Sequence, residues 1–389
     1  MSNRRLENKI WLAKPVMHGE EMKYVQEAYD TNWMTTLGAN IDAIESEIAG
    51  LLGTSYAVAL ASGTSALHLT VRLAAQSLYN TSPTEPALSG HKVFCSDMTF
   101  SATVNPISYE GGEQVFIDSE YDTWNMDPEA LRLAFEKYPD VRIVVLAHLY
   151  GTPARITEIK AICDEHKAVL IEDAAESLGA SVDGKQTGSF GEFGIISFNG
   201  NKIITGSSGG MLLTNDENAA NKIRKWSTQA RDKAPWYQHS EMGYNYRMSN
   251  VIAGVVRGQL PYLQEHINRK KNLFERYSTG LADLPIQMNP HMDNTVPNYW
   301  LSCMTINEES KVKPAEILQA LVDINAEGRP IWKPMHLQPI YENLDFITAH
   351  KKPVDEDIFE RGLCLPSDIT MTEAEQDIII ETIRECFNK

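Results

Sequence analysis

The sequence predicts an α/β fold in two parts. A large domain over residues 1–249 would rest on a mostly parallel sheet of seven strands, and a smaller α+β domain over 250–389 would follow, joined by a long helix. Three observations predict this. Short, strongly apolar runs recur seven times between residues 56 and 215, helical patterns lie between several of them, and the texture changes near Asn250. A chain of 389 residues is long enough for one large and one smaller core.

The seven runs are YAVALA, KVFCSD, QVFID, RIVVLAHLY, AVLIEDA, GIISFN and GMLLTN. They are rich in Val, Ile, Leu and Phe and mostly do not alternate, as in strands covered on both faces. After the first, Leu67, Val71, Ala74 and Leu78 repeat at helical spacing. The polar stretch NTSPTEPALSG (80–90) reads as a surface loop before the next strand. DPEALRLAFEKY (127–138) starts with an Asp-Pro helix opening. Strands alternating with helices make a mostly parallel sheet. Beyond Asn250, VVRGQLPYLQEHINRKKNLFERY is a long helix expected to bend at Pro261. A strand-like YWLSCMTI (299–306), an amphipathic PAEILQALVDI (314–324) and a closing helix, TEAEQDIIIETIRECF, complete the smaller domain.

Composition narrows the function. A formal net charge of −17 argues against general affinity for nucleic acid or an anionic membrane, so a polyanionic substrate must meet a local cationic pocket. Five scattered cysteines without a C-x-x-C pair fit reduced, buried thiols in the cytoplasm better than a disulfide framework or a zinc site. MSNRRLENKIWLAKP carries no long apolar run behind its charges, which disfavours a signal peptide. No apolar stretch approaches the roughly 20 residues that span a bilayer, so no membrane insertion is expected.

Three segments can carry chemistry. In ASGTSALHL (61–69), Ser62, Gly63, Thr64 and Ser65 follow a strand and open a helix, as caps or as a phosphate site. In VLIEDAAESLGA (169–180), Asp173 ends an apolar strand, where open α/β sheets bind ligands. It reads either as a helix cap or as the partner of a protonated cofactor nitrogen. SFNGNKIITGSSGG (197–210) frames Lys202 with small residues. The nucleotide-triphosphate loop needs G-x-x-x-x-G-K-[ST], and Lys202 follows Asn201 and precedes Ile203, so that reading fails. Lys202 is a surface lysine or an amine aimed for carbonyl chemistry. Together the three segments are what pyridoxal phosphate needs: an anchor for its phosphate, an acid for its ring nitrogen and an amine for its aldehyde. Phe100, in DMTFSAT, could stack on the ring.

With these residues the chain resembles the DegT-type nucleotide-sugar aminotransferases, in particular the bacillosamine-pathway enzymes that aminate a UDP-linked 4-keto-6-deoxy sugar. The likeness runs from VMHGEEMKYVQEAYDTNW to CLPSDITMT, through IEDAAESLGA, GSFGEFGIISFNGNKIIT, GYNYRMSN (243–250) and GRPIWKPMHLQP (328–339). It implies an aspartate-aminotransferase-like, fold type I large domain. It also implies pyridoxal 5'-phosphate as cofactor, Lys202 as the Schiff-base lysine and Asp173 as partner of the pyridine nitrogen. Gly63, Thr64 and Ser197 match phosphate ligands, Phe100 the stacking aromatic, and Glu176 a polar residue near the ring hydroxyl. Asn245 matches a phosphate ligand supplied by the neighbouring subunit, which implies a homodimer with shared sites. Arg329, Trp332, Lys333 and His336 match the substrate-side element, where the cations could offset a diphosphate. Thr35, Thr36 and Gly38 resemble the N-terminal substrate loop.

The likeness implies a ping-pong reaction from L-glutamate to C4 of a UDP-linked 4-keto-6-deoxy-N-acetylhexosamine, for glycan biosynthesis. A GDP-linked 4-keto-6-deoxymannose or a UDP-4-keto-pentose is the alternative substrate, and a non-catalytic cofactor-binding regulator is the alternative class. Two features depart from the usual pattern or bear on it. IITGSSGG stands where IITTSGGG is common, and the lysine is present where a dehydratase branch carries histidine.

Overall fold

In the computed structural model of the chain, which describes residues 5–388, all seven apolar runs become strands of one sheet. The first four residues of the N-terminal stretch discussed above, and Lys389, lie outside the described residues. The order across the sheet is Tyr56–Leu60, Gly210–Thr214, Phe193–Ser197, Val169–Asp173, Ile143–Ala147, Lys92–Ser96 and Glu113–Ile117. Only Gly210–Thr214 runs antiparallel to its neighbours. An eighth strand, Asp345–Ile347, pairs in parallel with Glu113–Ile117 at the edge. Three half-buried residues contributed from far along the chain leave no pattern for a sequence reading to find.

Both faces of the sheet are covered, which is why the runs are apolar throughout. Val93 and Cys95 join one cluster, with Leu67 and Val71 of the helix Gly63–Tyr79. Phe94 points the other way, to Leu131 and Phe135 of Pro128–Lys137 and to Ile159 and Ile162 of Ile156–Glu165. Asp127 caps its helix by accepting the Glu129 N–H at 2.9 Å.

The long helix comes in two pieces, Asn250–Gln259 and Leu263–Gly280, with a tighter 3₁₀ turn over Leu260–Tyr262. Pro261, which lacks the N–H an α-helix needs, sits in that turn. Beyond it, the strands Ile286–Met288, Cys303–Ile306, Gly362–Cys364 and Arg329–Pro330 form an antiparallel sheet. The helices Pro314–Asp323 and Glu373–Phe387 share its core, with Leu321, Leu363, Ile379 and Ile383. Packing does not divide simply at residue 250. Leu6 and Ile10 are buried in this C-terminal core, and Asp345–Ile347 returns to the large sheet. No helix among the described residues is long and apolar enough to cross a membrane.

Candidate active site

The carboxyl ends of the central strands gather the reactive side chains. Phe193–Ser197 runs into a turn in which the Lys202 N–H donates to the Asn199 carbonyl at 2.9 Å. The Lys202 side chain is only 12% exposed; its Nζ lies 3.4 Å from Glu176 Oε1 and 4.3 Å from the centre of the Trp300 ring. Glu176 Oε2 accepts the Tyr150 N–H at 2.7 Å. Burial pushes the Glu176 carboxyl up to about 7, with Asp173 adding to the rise, while the Lys202 ammonium and the Tyr150 N–H pull against it.

Asp173 closes the strand Val169–Asp173 and is buried. It does not cap a helix. Its Oδ2 accepts the Thr103 hydroxyl at 2.7 Å and its Oδ1 the Ala175 N–H at 3.1 Å, which leaves a carboxylate fixed in direction. The start of the helix Gly63–Tyr79 divides the roles of its residues. Ser62 and Ser65 form a reciprocal capping box, each hydroxyl accepting the other's N–H at 3.0 Å. Gly63 and Thr64 precede the first helical bond, from the Ala66 N–H to the Ser62 carbonyl, so their own N–H groups face outward at the positive helix end. A Cβ on Gly63 would meet the Ser197 Cβ at 3.1 Å, so helix start and Ser197 hydroxyl face one another across a gap that only glycine leaves open.

These residues fit pyridoxal phosphate by the chemistry of the donor set. One amine, one fixed carboxylate and a cradle of N–H groups with a hydroxyl are held on one edge of the sheet. Phe100 begins the turn that carries Thr103 and is 56% exposed, its ring 5.6 Å from that of Trp332. The Trp332 ring also packs on Tyr150 at 5.0 Å, and the Trp332 backbone N–H donates to the Tyr150 hydroxyl at 3.0 Å. The GRPIW segment therefore reaches the site.

The remaining expected residues divide. Arg329 and Lys333 are exposed, with Arg329 ion-paired to Glu327. His336 is bonded within the chain. Its Nδ1 bonds Asp97 at 2.6 Å and its Nε2 lies 3.2 Å from Glu356, while its ring stacks on Phe346. Burial lowers its proton affinity, but these two carboxylates outweigh that and raise it. Both of its ring nitrogens are engaged by carboxylates of the same chain. Thr35 and Gly38 lie against Asn250, at the start of the helix Asn250–Gln259. The Thr35 carbonyl accepts the Asn250 N–H at 2.8 Å, and Gly38 precedes the helix Ala39–Leu52, where a Cβ would strike the Asn250 side chain. Asn245 is exposed, in an extended stretch bridged to Thr228, where the neighbouring Tyr246 carbonyl accepts the Ala61 N–H at 2.7 Å.

Three residues escaped the sequence reading. Thr103 lies inside the quoted DMTFSAT but joins Asp173 across 70 residues. Trp300 reads as core in YWLSCMTI, and Tyr150 ends an apolar run. Neither carries a local signal for a place beside Lys202.

Residues 15–384 match the DegT/DnrJ/EryC1/StrS aminotransferase family. EpsN of Bacillus subtilis (strain 168), whose name proposes a pyridoxal phosphate-dependent aminotransferase, is 43% identical over 98% of this chain and 97% of its own. The GDP-perosamine synthase of Vibrio cholerae is 32% identical over 96% of this chain and 98% of its own. A solved DegT DnrJ EryC1 StrS aminotransferase from Brucella abortus superposes with a TM-score of 0.84 at 25% identity, covering 95% of this chain and 96% of that one.

Proposed function

Because the chain belongs to the DegT/DnrJ/EryC1/StrS aminotransferase family, we propose that it moves an amino group from L-glutamate to C4 of a UDP-linked 4-keto-6-deoxy-N-acetylhexosamine. The observation that carries the reading is the Lys202 amine, held against Glu176 and Trp300 on the edge of the sheet where Asp173, Ser197 and the Gly63 helix start converge.

Pyridoxal phosphate, when bound, supplies an electron sink that lets the α-hydrogen of an amino acid leave as a proton. The chain's residues do the rest. The N–H groups of Gly63 and Thr64 and the Ser197 hydroxyl hold the phosphate. Asp173, kept in line by Thr103, holds the proton on the ring nitrogen, and the exposed face of Phe100 covers the ring. Lys202 Nζ takes the proton from the glutamate α-carbon, and in the second half of the cycle delivers one to C4 of the sugar. Arg329 and Lys333 supply the local positive charge that a diphosphate needs on a chain of net charge −17. Trp332, beside Phe100, packs on the sugar nucleotide.

We assign the site to a dimer, with Asn245 reaching the phosphate of the second copy. The segment bearing Thr35 and Thr36 exposes Tyr29, Trp33, Met34 and Leu37, and the segment before Asn245 exposes Trp236, Tyr237 and Met242, apolar surface that suits a second copy of this chain. A cytoplasmic location suits five buried thiols.

A second reading, with a GDP-linked 4-keto-6-deoxy sugar as acceptor, is favoured by the likeness to the Vibrio cholerae protein. Incubation with glutamate and a panel of nucleotide keto sugars, read by mass spectrometry, separates the two. The UDP-linked N-acetylated sugar is expected to gain the amino group fastest, and exclusive turnover of the GDP sugar would reverse the assignment. Lys202→Ala is expected to abolish turnover and the long-wavelength absorbance of the bound cofactor while leaving the fold intact.

A further inference from the structure

We propose that Trp300 is a positioning residue for the reacting amine, its indole face holding Lys202 Nζ in a stand-by place whenever the amine is not bonded to the cofactor. This rests on the reading of Lys202 given above.

The amine has two neighbours of different kinds, the Glu176 carboxylate at 3.4 Å and the Trp300 ring at 4.3 Å. An ammonium carries three N–H donors, and an aromatic face attracts it without accepting its proton. The carboxylate and the ring together fix its direction, while the ammonium keeps a proton to give and the neutral amine a lone pair to take one.

Trp300 is held far more firmly than packing requires. A buried tryptophan needs one partner for its ring N–H, and here the Asn201 carbonyl accepts it at 2.8 Å, one residue before Lys202. In addition, the Trp300 backbone N–H donates to Asn298 Oδ1 at 2.9 Å, and its carbonyl accepts from Lys270 Nζ at 2.9 Å. Asn298 in turn donates its Nδ2 to the carbonyls of Glu176 and Leu178, at 2.8 and 3.0 Å. One short strap from the C-terminal part of the chain thus aligns both neighbours of the amine. Tyr299, between the two anchors, takes a left-handed backbone (φ 55°), a conformation bulky residues adopt only under constraint.

The test has a cofactor-free arm and a holoenzyme arm. In the first, lysines of the cofactor-free chain are ¹³C-methylated and the Lys202 line is assigned with Lys202→Arg. The ring current of Trp300 should displace that line upfield in the wild type, and Trp300→Leu should return it to the ordinary lysine position. In the second, glutamate consumes the bound-cofactor absorbance in a single turnover. Trp300→Leu should lower the limiting rate between about tenfold and a hundredfold. Half-saturating glutamate and cofactor stoichiometry should stay unchanged. Trp300→Phe, which keeps a ring face but loses the N–H, should fall less, and it carries the test should the leucine variant not fold.

An undisplaced wild-type line overturns the proposal, and so does a wild-type limiting rate in the variants. A loss confined to cofactor uptake or glutamate saturation also overturns it and leaves Trp300 a packing residue. Failure of the wild type itself to take up pyridoxal phosphate would instead sink the functional reading, and would be seen before any variant is made.

Discussion

A carboxyl group buried as Glu176 is holds its proton up to about pH 7, against about 4.3 in an unfolded chain. Between those values the folded chain binds the proton and the unfolded chain does not. The stability this group contributes is therefore complete below about pH 4 and is lost as the pH climbs through 7, by at most roughly 4 kcal/mol. Glu176→Gln keeps the acceptor for the Tyr150 N–H and removes the titration. Urea unfolding of the cofactor-free proteins should show the variant gaining on the wild type between pH 5 and 7 and levelling above 8. A constant difference across that range would mean that Glu176 is ionised throughout. The places of Asp173, closing its strand, and of Lys202, in the turn after Phe193–Ser197, were legible in the sequence because apolar strands mark where their carboxyl ends fall in an α/β sheet. Thr103 and Trp300 were not, because their contacts to Asp173 and Asn201 close over 70 and 99 residues and leave no local pattern.

At the scale of elements, the seven strands were readable because burial on both faces writes itself into five or more consecutive residues. The edge strand Asp345–Ile347 was not, since its three residues are defined by what they pair with. The glycine-rich stretch around Lys202 shows the same limit. Gly200 and Gly210 look alike in sequence, yet a Cβ on Gly200 meets nothing within 4 Å, whereas one on Gly210 would lie 2.3 Å from the Gly63 nitrogen. Gly210 opens the strand Gly210–Thr214 directly beneath the helix start, and backbone cannot swing aside as a side chain can. Gly210→Ala is expected to cost about 3 kcal/mol or more and to weaken cofactor uptake by moving the Gly63 N–H. Gly200→Ala should stay within about 0.5 kcal/mol of the wild type. Thermal unfolding and cofactor titration of the pair check this, and equal behaviour would show that the helix start does not bear on that strand.

Over the whole molecule, the assignment of the site to a dimer turns on which chain's Asn245 meets Lys202. The extended stretch carrying Asn245 runs beside its own Ala61, so a single chain does not decide whether Asn245 serves the phosphate cradle of its own chain or of its partner. Mixed dimers decide it. A Lys202→Ala chain retains Asn245, and an Asn245→Ala chain retains Lys202. If the two residues meet across the interface, a mixed dimer holds one intact site and one doubly defective site. If they meet within a chain, each site carries one defect and none is whole. Random reassortment makes half the dimers mixed, with half their sites intact, so mixing should restore about a quarter of the wild-type activity through those sites, above the mean of the two unmixed variants. The recovery should track subunit exchange and vanish on cross-linking each parent dimer before mixing. No recovery, with exchange demonstrated by mass spectrometry, would place Asn245 in the site of its own chain. The exposed aromatic rings at Trp33 and Trp236 would then need another explanation than a shared active site.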